Sequence, residues 1–420
     1  MTSRHEGRQD RRVFLKWLAL AGGAAGLAEA SRAALTGADV GASPPSPAPA
    51  AVGPGRAPVR VTDVRTWRMH DALFVEVVSD AGVAGWGECG DDHAFMERFV
   101  QSELKERVVG QDPFDGERLW DLMFYRNHDL GPGGVLTNAI AGVDCALWDL
   151  KGRLLGLPVH KLIGGAYRDR VRVYGSFGIG NTKKMPPEQA ARKAARFVEK
   201  GFTAVKVRLQ IRELNLNPEP EIAFDYVRAV RQAIGEHIDL LVDANNGYTA
   251  ARAIQVGRRL YEEFNIRYFE DPVSDQTDAE MAQVVAALEV PIIAGEKEYT
   301  RWQLRDLIVS GNVDVINPDV VKVGGITEMK KIAALAQTYQ KPIIPHNTRP
   351  TLATAASLQF VASIPNMGPF MEFPDIDEFT ELLAVMKTNV EFRDGYLTVP
   401  TRPGLGVEVD AEAVRKAMGR

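Results

Sequence analysis

Asp243, Glu270, Glu296, Asp319, His346 and Glu372 recur along this chain of 420 residues at gaps of 27, 26, 23, 27 and 26. Each can bind a cation or move a proton. Short apolar runs lead up to most of them: Leu240-Leu241-Val242 before Asp243, Tyr268-Phe269 before Glu270, Ile292-Ile293-Ala294-Gly295 before Glu296, and Ile343-Ile344-Pro345 before His346. Val315-Ile316 lies just upstream of Asp319. A strand, a helix and two turns consume about this many residues, so the spacing predicts βα units. In a (β/α) barrel the C-terminal ends of the strands meet at one mouth, where chemistry is done. The six side chains are therefore expected to face one another across a single site.

Asp243, Glu270 and Glu296 fall on three successive units. Three converging carboxylates repel unless a cation neutralises them. Their oxygens are hard ligands and no Cys or His joins them, so Mg²⁺ is expected, with Mn²⁺ second. An Asp after a strand also suits a helix N-cap, but Glu caps poorly. Lys206 and Arg208 share one face of Thr203-Ala204-Val205-Lys206-Val207-Arg208-Leu209, and the apolar face packs outward, so both cations are expected inside the barrel. Asp319 ends the unit before His346 and is placed to orient its imidazole and raise its basicity. Glu372 is expected to hydrogen-bond an oxyanion or a hydroxyl. These groups suit proton abstraction next to a carboxylate, where a divalent cation and Lys206 would share two negative oxygens.

The elements that must position them are legible in outline. Residues 59–69, 72–79 and 83–88 read as three strands, the first two joined by His70-Asp71. Helical patterns cover 95–109, 114–124 and 136–155. A strand at 170–174 leads into the barrel. It is followed by helix 187–199 with strand 204–209, helix 220–234 with strand 239–242, and helix 250–263 with strand 267–269. A hairpin is expected around Asp394-Gly395 in a tail that returns to the N-terminal domain. This divides the chain into 58–170, a small α+β domain; 171–385, the barrel; and 386–420, the tail.

Apolar residues make up 45% and charged residues 25%, and the net charge of −5 argues against a nucleic-acid partner. The two cysteines, Cys89 and Cys145, make neither a metal spacing nor a disulfide framework. Residues 1–30 read as an export signal: Arg11-Arg12-Val13-Phe14-Leu15-Lys16, an Ala/Gly-rich apolar run, then Ala28-Glu29-Ala30. The paired arginines resemble a twin-arginine signal, so the twin-arginine export machinery is an expected partner and the mature protein is expected in the periplasm or outside the cell. The apolar run is too short for a permanent membrane anchor. Residues 31–57, rich in Ala, Pro, Gly and Ser, read as a disordered linker.

Several motifs together resemble the enolase superfamily, in its mandelate racemase branch. They are Ala139-Ile140-Ala141-Gly142-Val143-Asp144-Cys145-Ala146-Leu147-Trp148-Asp149, Leu162-Ile163-Gly164-Gly165, Lys206-x-Arg208, Val242-Asp243-Ala244-Asn245, Phe269-Glu270-Asp271-Pro272, Gly295-Glu296, Asn317-x-Asp319 and Pro345-His346-Asn347. The resemblance spans residues 59 to 415. It implies an α/β fold, a modified TIM barrel (β/α)₇β with an N-terminal α+β capping domain, and homo-oligomers. It implies Asp243, Glu270 and Glu296 as Mg²⁺ ligands, His346 with Asp319 as the base pair, and Glu372 near the intermediate.

Two departures refine the expectation. Many relatives carry Lys-x-Lys, whose second lysine is a base on the face opposite the histidine; here that position is Arg208, and a guanidinium is a poor base. Dehydration with one base then fits better than two-base racemisation. The substrate is expected to be a carboxylate, a sugar acid or similar α-hydroxy acid, and the product a 2-keto-3-deoxy acid. The turn His70-Asp71 is also short where relatives carry a loop over the mouth. The stretches 90–95 and 125–134 are alternative lids, and they bring His93, Arg126 and His128. His93, Arg126, Asn245 and Asn347 are the expected substrate contacts. An epimerase or lactone cycloisomerase is the second expectation, separated by product identity. A barrel hydrolase would want a His-x-His pair, which the chain lacks; a non-catalytic exported solute binder remains as another class.

Overall fold

The computed structural model describes residues 58–69, 72–90 and 93–418. The expected export signal, the linker, the His70-Asp71 turn and residues 91–92 of one candidate lid lie outside these residues.

The N-terminal part opens with three antiparallel strands, β1 (Val61–Met69), β2 (Ala72–Ser79) and β3 (Ala84–Glu88), in the order β1-β2-β3. A helical run follows: α1 (Ala94–Phe99), a π turn at Val100–Leu104, and α2 (Lys105–Val108). Then come α3 (Gly116–Tyr125), α4 (Val135–Leu155) and the single turn α5 (Val159–Leu162). The α4 sequence is apolar almost all round, and 17 of its residues are buried. That is the pattern of a helix enclosed on every side. It lies so close on β3 that a Cβ at Gly87 would run into the carbonyl of Gly142.

Eight parallel segments form the barrel. They are β4 (Arg170–Gly178), β5 (Ala204–Arg208), β6 (Asp239–Asp243), β7 (Tyr268–Glu270), β8 (Ile292–Ala294), β9 (Val315–Ile316), a single bridge residue Ile343, and β10 (Met371–Pro374). β10 pairs with β4 and closes the ring. Between them run α6 (Pro187–Glu199), α7 (Ala223–Ile234), α8 (Ala250–Phe264), α9 (Asp278–Ala287), α10 (Arg301–Asp306) with its π turn to Gly311, α11 (Ile326–Thr338) and α12 (Leu352–Ser363). This is the (β/α)₇β architecture.

Three local expectations are corrected. His346 does not end a regular strand: Pro342 and Pro345 flank Ile343-Ile344 and lack the N–H that a ladder needs, so one bridge residue remains. The second barrel helix starts at Ala223 rather than at 220, because Ile222 is its N-cap and the chain before it is irregular. After α13 (Thr380–Leu383) and β11 (Met386–Thr388), the hairpin of β12 (Phe392–Arg393) and β13 (Tyr396–Thr398) pairs with β4 of the barrel, not with the N-terminal sheet. Its turn is Asp394-Gly395, with φ of 49° and 80°, as a type I′ turn requires. Only the last stretch reaches back: β14 (Glu408–Val409) pairs with β11, α14 (Ala411–Ala417) packs near β1, and Arg153 donates to the Val407 carbonyl at 3.1 Å.

The N-terminal part docks on the barrel through buried polar contacts. Asp144 of α4 accepts from Thr327 N–H at 2.9 Å and from its hydroxyl at 2.5 Å, satisfying the first turn of α11 from another domain. Trp120 Nε1 donates to the Gly324 carbonyl at 2.8 Å. Burial pushes the Asp144 carboxyl up to about 6, against the Thr327 bonds that favour its charge. An unfolded aspartate titrates near 4. Between those two values the unfolded chain gives up this proton first. Stability is therefore fully present below about pH 4 and falls as pH rises to about 6, by roughly 3 kcal/mol at most. Asp144→Asn is expected to remove that slope. Thermal unfolding of both proteins from pH 4 to 7 checks it, and a wild-type-minus-variant difference flat with pH would contradict it.

Candidate active site

The barrel interior is built in layers. Tyr174, Ala204, Leu241, Tyr268, Ile293, Val315, Ile344 and Phe370, one in or next to each of the eight segments, form an apolar layer. Side chains two residues further along a strand point the same way. Adding two to each gives Ser176, Lys206, Asp243, Glu270, Gly295, Asn317, His346 and Glu372. The apolar layer is thus the floor of a polar one. Gly295 breaks the set: its φ is 133° and a Cβ there would press on Asn317. This bend, open to glycine, hands the ligand position to Glu296.

Asp243, Glu270 and Glu296 each present an oxygen within 4.8 Å of the others. All three are buried. Asn245 holds Asp243 from its backbone N–H and its Nδ2, both at 2.7 Å, and its own Oδ1 accepts from Gln210 N–H. Asn317 Nδ2 donates to Glu270 Oε1 at 3.1 Å, while Glu270 Oε2 is buried with no hydrogen-bond partner. An unpartnered carboxylate oxygen in a group of three is what a hard divalent cation requires.

Lys206 is fully buried beside them. Its Nζ is 2.6 Å from Glu270 Oε1, 3.1 Å from Glu372 Oε1 and 3.9 Å from Asp243 Oδ2. Burial opposes its charge, but Glu270 and Glu372 outweigh that and hold its pKa well above the ordinary value. Burial pushes Glu270 well up; Lys206 pulls against it, and Asp243, Glu372 and Glu296 add to the push. Burial also opposes charge on Glu372, yet Lys206, His346 and Arg208 hold it down at about 2. Lys206 is therefore an ammonium and Glu372 a carboxylate.

His346 Nδ1 is 2.6 Å from Asp319 Oδ2, and its Nε2 is 3.0 Å from Glu296 Oε2 and 3.8 Å from Glu372 Oε2. The Asp319 bond orients the ring and turns Nε2 toward the three carboxylates. Arg208, one layer above Lys206, has a buried Nε without a partner.

The structure thus brings together Asp243, Glu270, Glu296, Lys206, Asp319, His346 and Glu372, with Arg208 above them. Asn245 and Asn347 are 3% and 1% exposed and bond within the protein; Asn347 donates to Glu372 Oε2 at 3.1 Å and to Thr354 Oγ1 at 2.7 Å. His93 is exposed and stacked on Phe95, and Arg126 is exposed at the end of α3. Neither stands in the cluster. The second candidate lid does reach the barrel, since a Cβ at Gly133 would press on Tyr299. Four further side chains were given no role from sequence: Tyr174 and Ser176 with buried hydroxyls beside Lys206 and Glu372, Asn317 on Glu270, and Lys322, whose Nζ donates to the Glu296 carbonyl at 3.2 Å. Alternation back from Asp319 would have found Asn317; Ser176 and Tyr174 lie opposite Lys206 and Glu372 in the register of β4 with β5 and β10, which only the strand pairing reveals.

A two-domain barrel with three converging carboxylates, an inward lysine and a histidine–aspartate pair defines an enolase-type enzyme. The N-terminal domain of the mandelate racemase / muconate lactonizing enzyme family matches residues 50–164, and the enolase C-terminal domain-like family matches residues 189–414. The chain belongs to the mandelate racemase / muconate lactonizing enzyme family of the enolase superfamily. It is 35% identical to D-galactarolactone cycloisomerase of Agrobacterium fabrum, covering 81% of this chain and 90% of the relative. It is 32% identical to D-xylonate dehydratase of Haloferax volcanii, covering 85% and 89%. A mandelate racemase/muconate lactonizing protein from Paracoccus denitrificans, solved in complex with magnesium, superposes with a TM-score of 0.80 at 33% identity, covering 85% of this chain and 98% of that one.

Proposed function

We propose that this enzyme is an Mg²⁺-dependent dehydratase of a sugar acid or a related α-hydroxy acid. The observation that carries the reading is the single His346–Asp319 pair facing a β5 on which the second cation is an arginine. The xylonate dehydratase relative supports it. Asp243, Glu270 and Glu296 would hold the cation. When bound, Mg²⁺ lowers the cost of the second negative charge on the substrate carboxylate.

The chain's own groups do the rest. Lys206 holds a positive charge where the enediolate oxygens develop. His346 Nε2 takes the α-proton while Asp319 fixes the ring and stabilises the imidazolium. The electron pair left on the α-carbon forms the double bond and expels the β-hydroxyl. His346 returns its proton to that hydroxyl, which leaves as water. The enol then tautomerises to the 2-keto-3-deoxy acid. Arg208 stays protonated and is suited to bind a substrate oxygen.

A lactone isomerisation at the same base is the second reading, favoured by the Agrobacterium relative. Proton NMR in D₂O with mass spectrometry, over a panel of sugar acids and their lactones, separates the two. The expected result is loss of the α-proton signal and a product lighter by one water. A product of unchanged composition would establish the isomerase. No exchange with any acid or lactone would contradict both. Export through the twin-arginine machinery and homo-oligomer formation remain part of this proposal; export is supported by Arg11-Arg12 and the apolar run after them.

A further inference from the structure

His346 follows a segment with one bridge residue between two prolines; its own N–H makes only a long bond, 3.4 Å, to the Asn317 carbonyl. The N-terminal domain supplies an anchor. Glu88, the last residue of β3, is fully buried. Its Oε2 accepts from the Thr351 hydroxyl at 2.8 Å and from Ala353 N–H at 3.0 Å, at the start of α12. Arg349 Nη1 lies 3.8 Å from Oε1 of the same carboxylate, and its Nη2 donates to the Gly90 carbonyl at 3.5 Å. A Cβ on Gly90 would run into the Val321 carbonyl, and Val321 N–H donates to Asp319 Oδ1 at 3.0 Å. The stretch 88–90 is thus inserted between the loop that carries Asp319 and the loop that carries His346. Further bonds continue toward the base. Thr354 Oγ1 donates to the Arg349 carbonyl at 2.6 Å, Asn347 Nδ2 donates to Thr354 Oγ1, and Asn347 N–H donates to Glu372.

We propose that Glu88 is a positioning residue for the His346–Asp319 pair, holding from the N-terminal domain the loop on which the base rides. The proposal rests on the reading of that pair as the proton-transfer pair. A carboxylate at a helix N-terminus is favoured by the helix dipole as well as by its hydrogen bonds, which makes α12 a firm point of attachment. The competing account is that Glu88 only joins two domains. Asp144 joins the same domains in the same manner, by capping α11, and so provides the control.

The test compares Glu88→Gln, Thr351→Val and Asp144→Asn in the full chain. One readout is the low-field proton signal of His346 Nδ1–H on Asp319, assigned by its absence in His346→Asn; the other is α-proton exchange in D₂O. Glu88→Gln is expected to shift or broaden the signal and to slow exchange about 10- to 100-fold, as a displaced base does. Thr351→Val removes one of the two bonds to Glu88 without stranding a charge; it is expected to move both readouts the same way by less. Asp144→Asn should leave both as in wild type. An unchanged signal in Glu88→Gln, or an equal change in Asp144→Asn, overturns the proposal. The signal needs no substrate. Absence of exchange in the wild type therefore sinks the proposed function, dehydratase and isomerase alike, whereas an unmoved signal sinks this proposal alone.

Discussion

His346→Asn is expected to lower α-proton exchange by about 10²- to 10⁴-fold, the usual contribution of a general base. The asparagine amide can still reach Asp319, so the loop should stay in place and thermal stability should change little. What disappears is Nε2, the atom that faces the ligand cluster 3.0 Å from Glu296. Lys206 cannot take over: Glu270 and Glu372 hold it as an ammonium. Arg208 cannot either, because guanidinium remains protonated. The loss should fall on kcat, since His346 acts on the reacting proton and not on ground-state binding. Exchange measured by proton NMR in D₂O decides it. Exchange retained within tenfold would mean another base, and the one-base dehydration would fall with it.

How much of this was legible beforehand varies with the physical signal. The layered barrel was legible because strand period and helix period repeat, and the repeat carries a reactive residue at each strand end. From Asp243, Glu270, His346 and Glu372 alone, stepping back two residues gives Leu241, Tyr268, Ile344 and Phe370, all in the apolar floor. What sequence could not give is how a strand fails. Ile343-Ile344 has strand propensity, but Pro342 and Pro345 remove ladder donors, and only the assembled barrel shows one bridge left. Nor could it give contacts between distant segments. Glu88 and Thr351 are 263 residues apart, and nothing local marks Glu88 as more than a strand end. The tail shows a third limit. The hairpin turn at Asp394-Gly395 is a local property and was readable, whereas its partner, β4, is set by packing.

Removal of divalent cations is expected to abolish activity, and Glu270→Gln to do so even with Mg²⁺ present. Asp243, Glu270, Glu296 and Glu372 crowd together around the Lys206 ammonium, and burial with their mutual repulsion pushes Glu270 well up. A divalent cation relieves it, and the carboxylate oxygen with nowhere else to bond is Glu270 Oε2. Glu270→Gln keeps the volume but sets an NH₂ either against Lys206 and Asn317, which are donors, or into the ligand position, where it cannot coordinate. Either orientation weakens binding. Several kcal/mol of transition-state stabilisation depend on the cation, which at 1.36 kcal/mol per decade is about 10³-fold or more in rate. Stability gives a second readout without any substrate. Binding to the folded state alone raises stability by RT ln(1 + [L]/Kd), so Mg²⁺ should raise the Tm of the wild type and leave that of Glu270→Gln unmoved. Equal Mg²⁺-dependent shifts in the two proteins would place the cation elsewhere. Full activity after exhaustive chelation would leave Lys206 to carry the enediolate charge by itself, and the three-carboxylate site would lose its purpose.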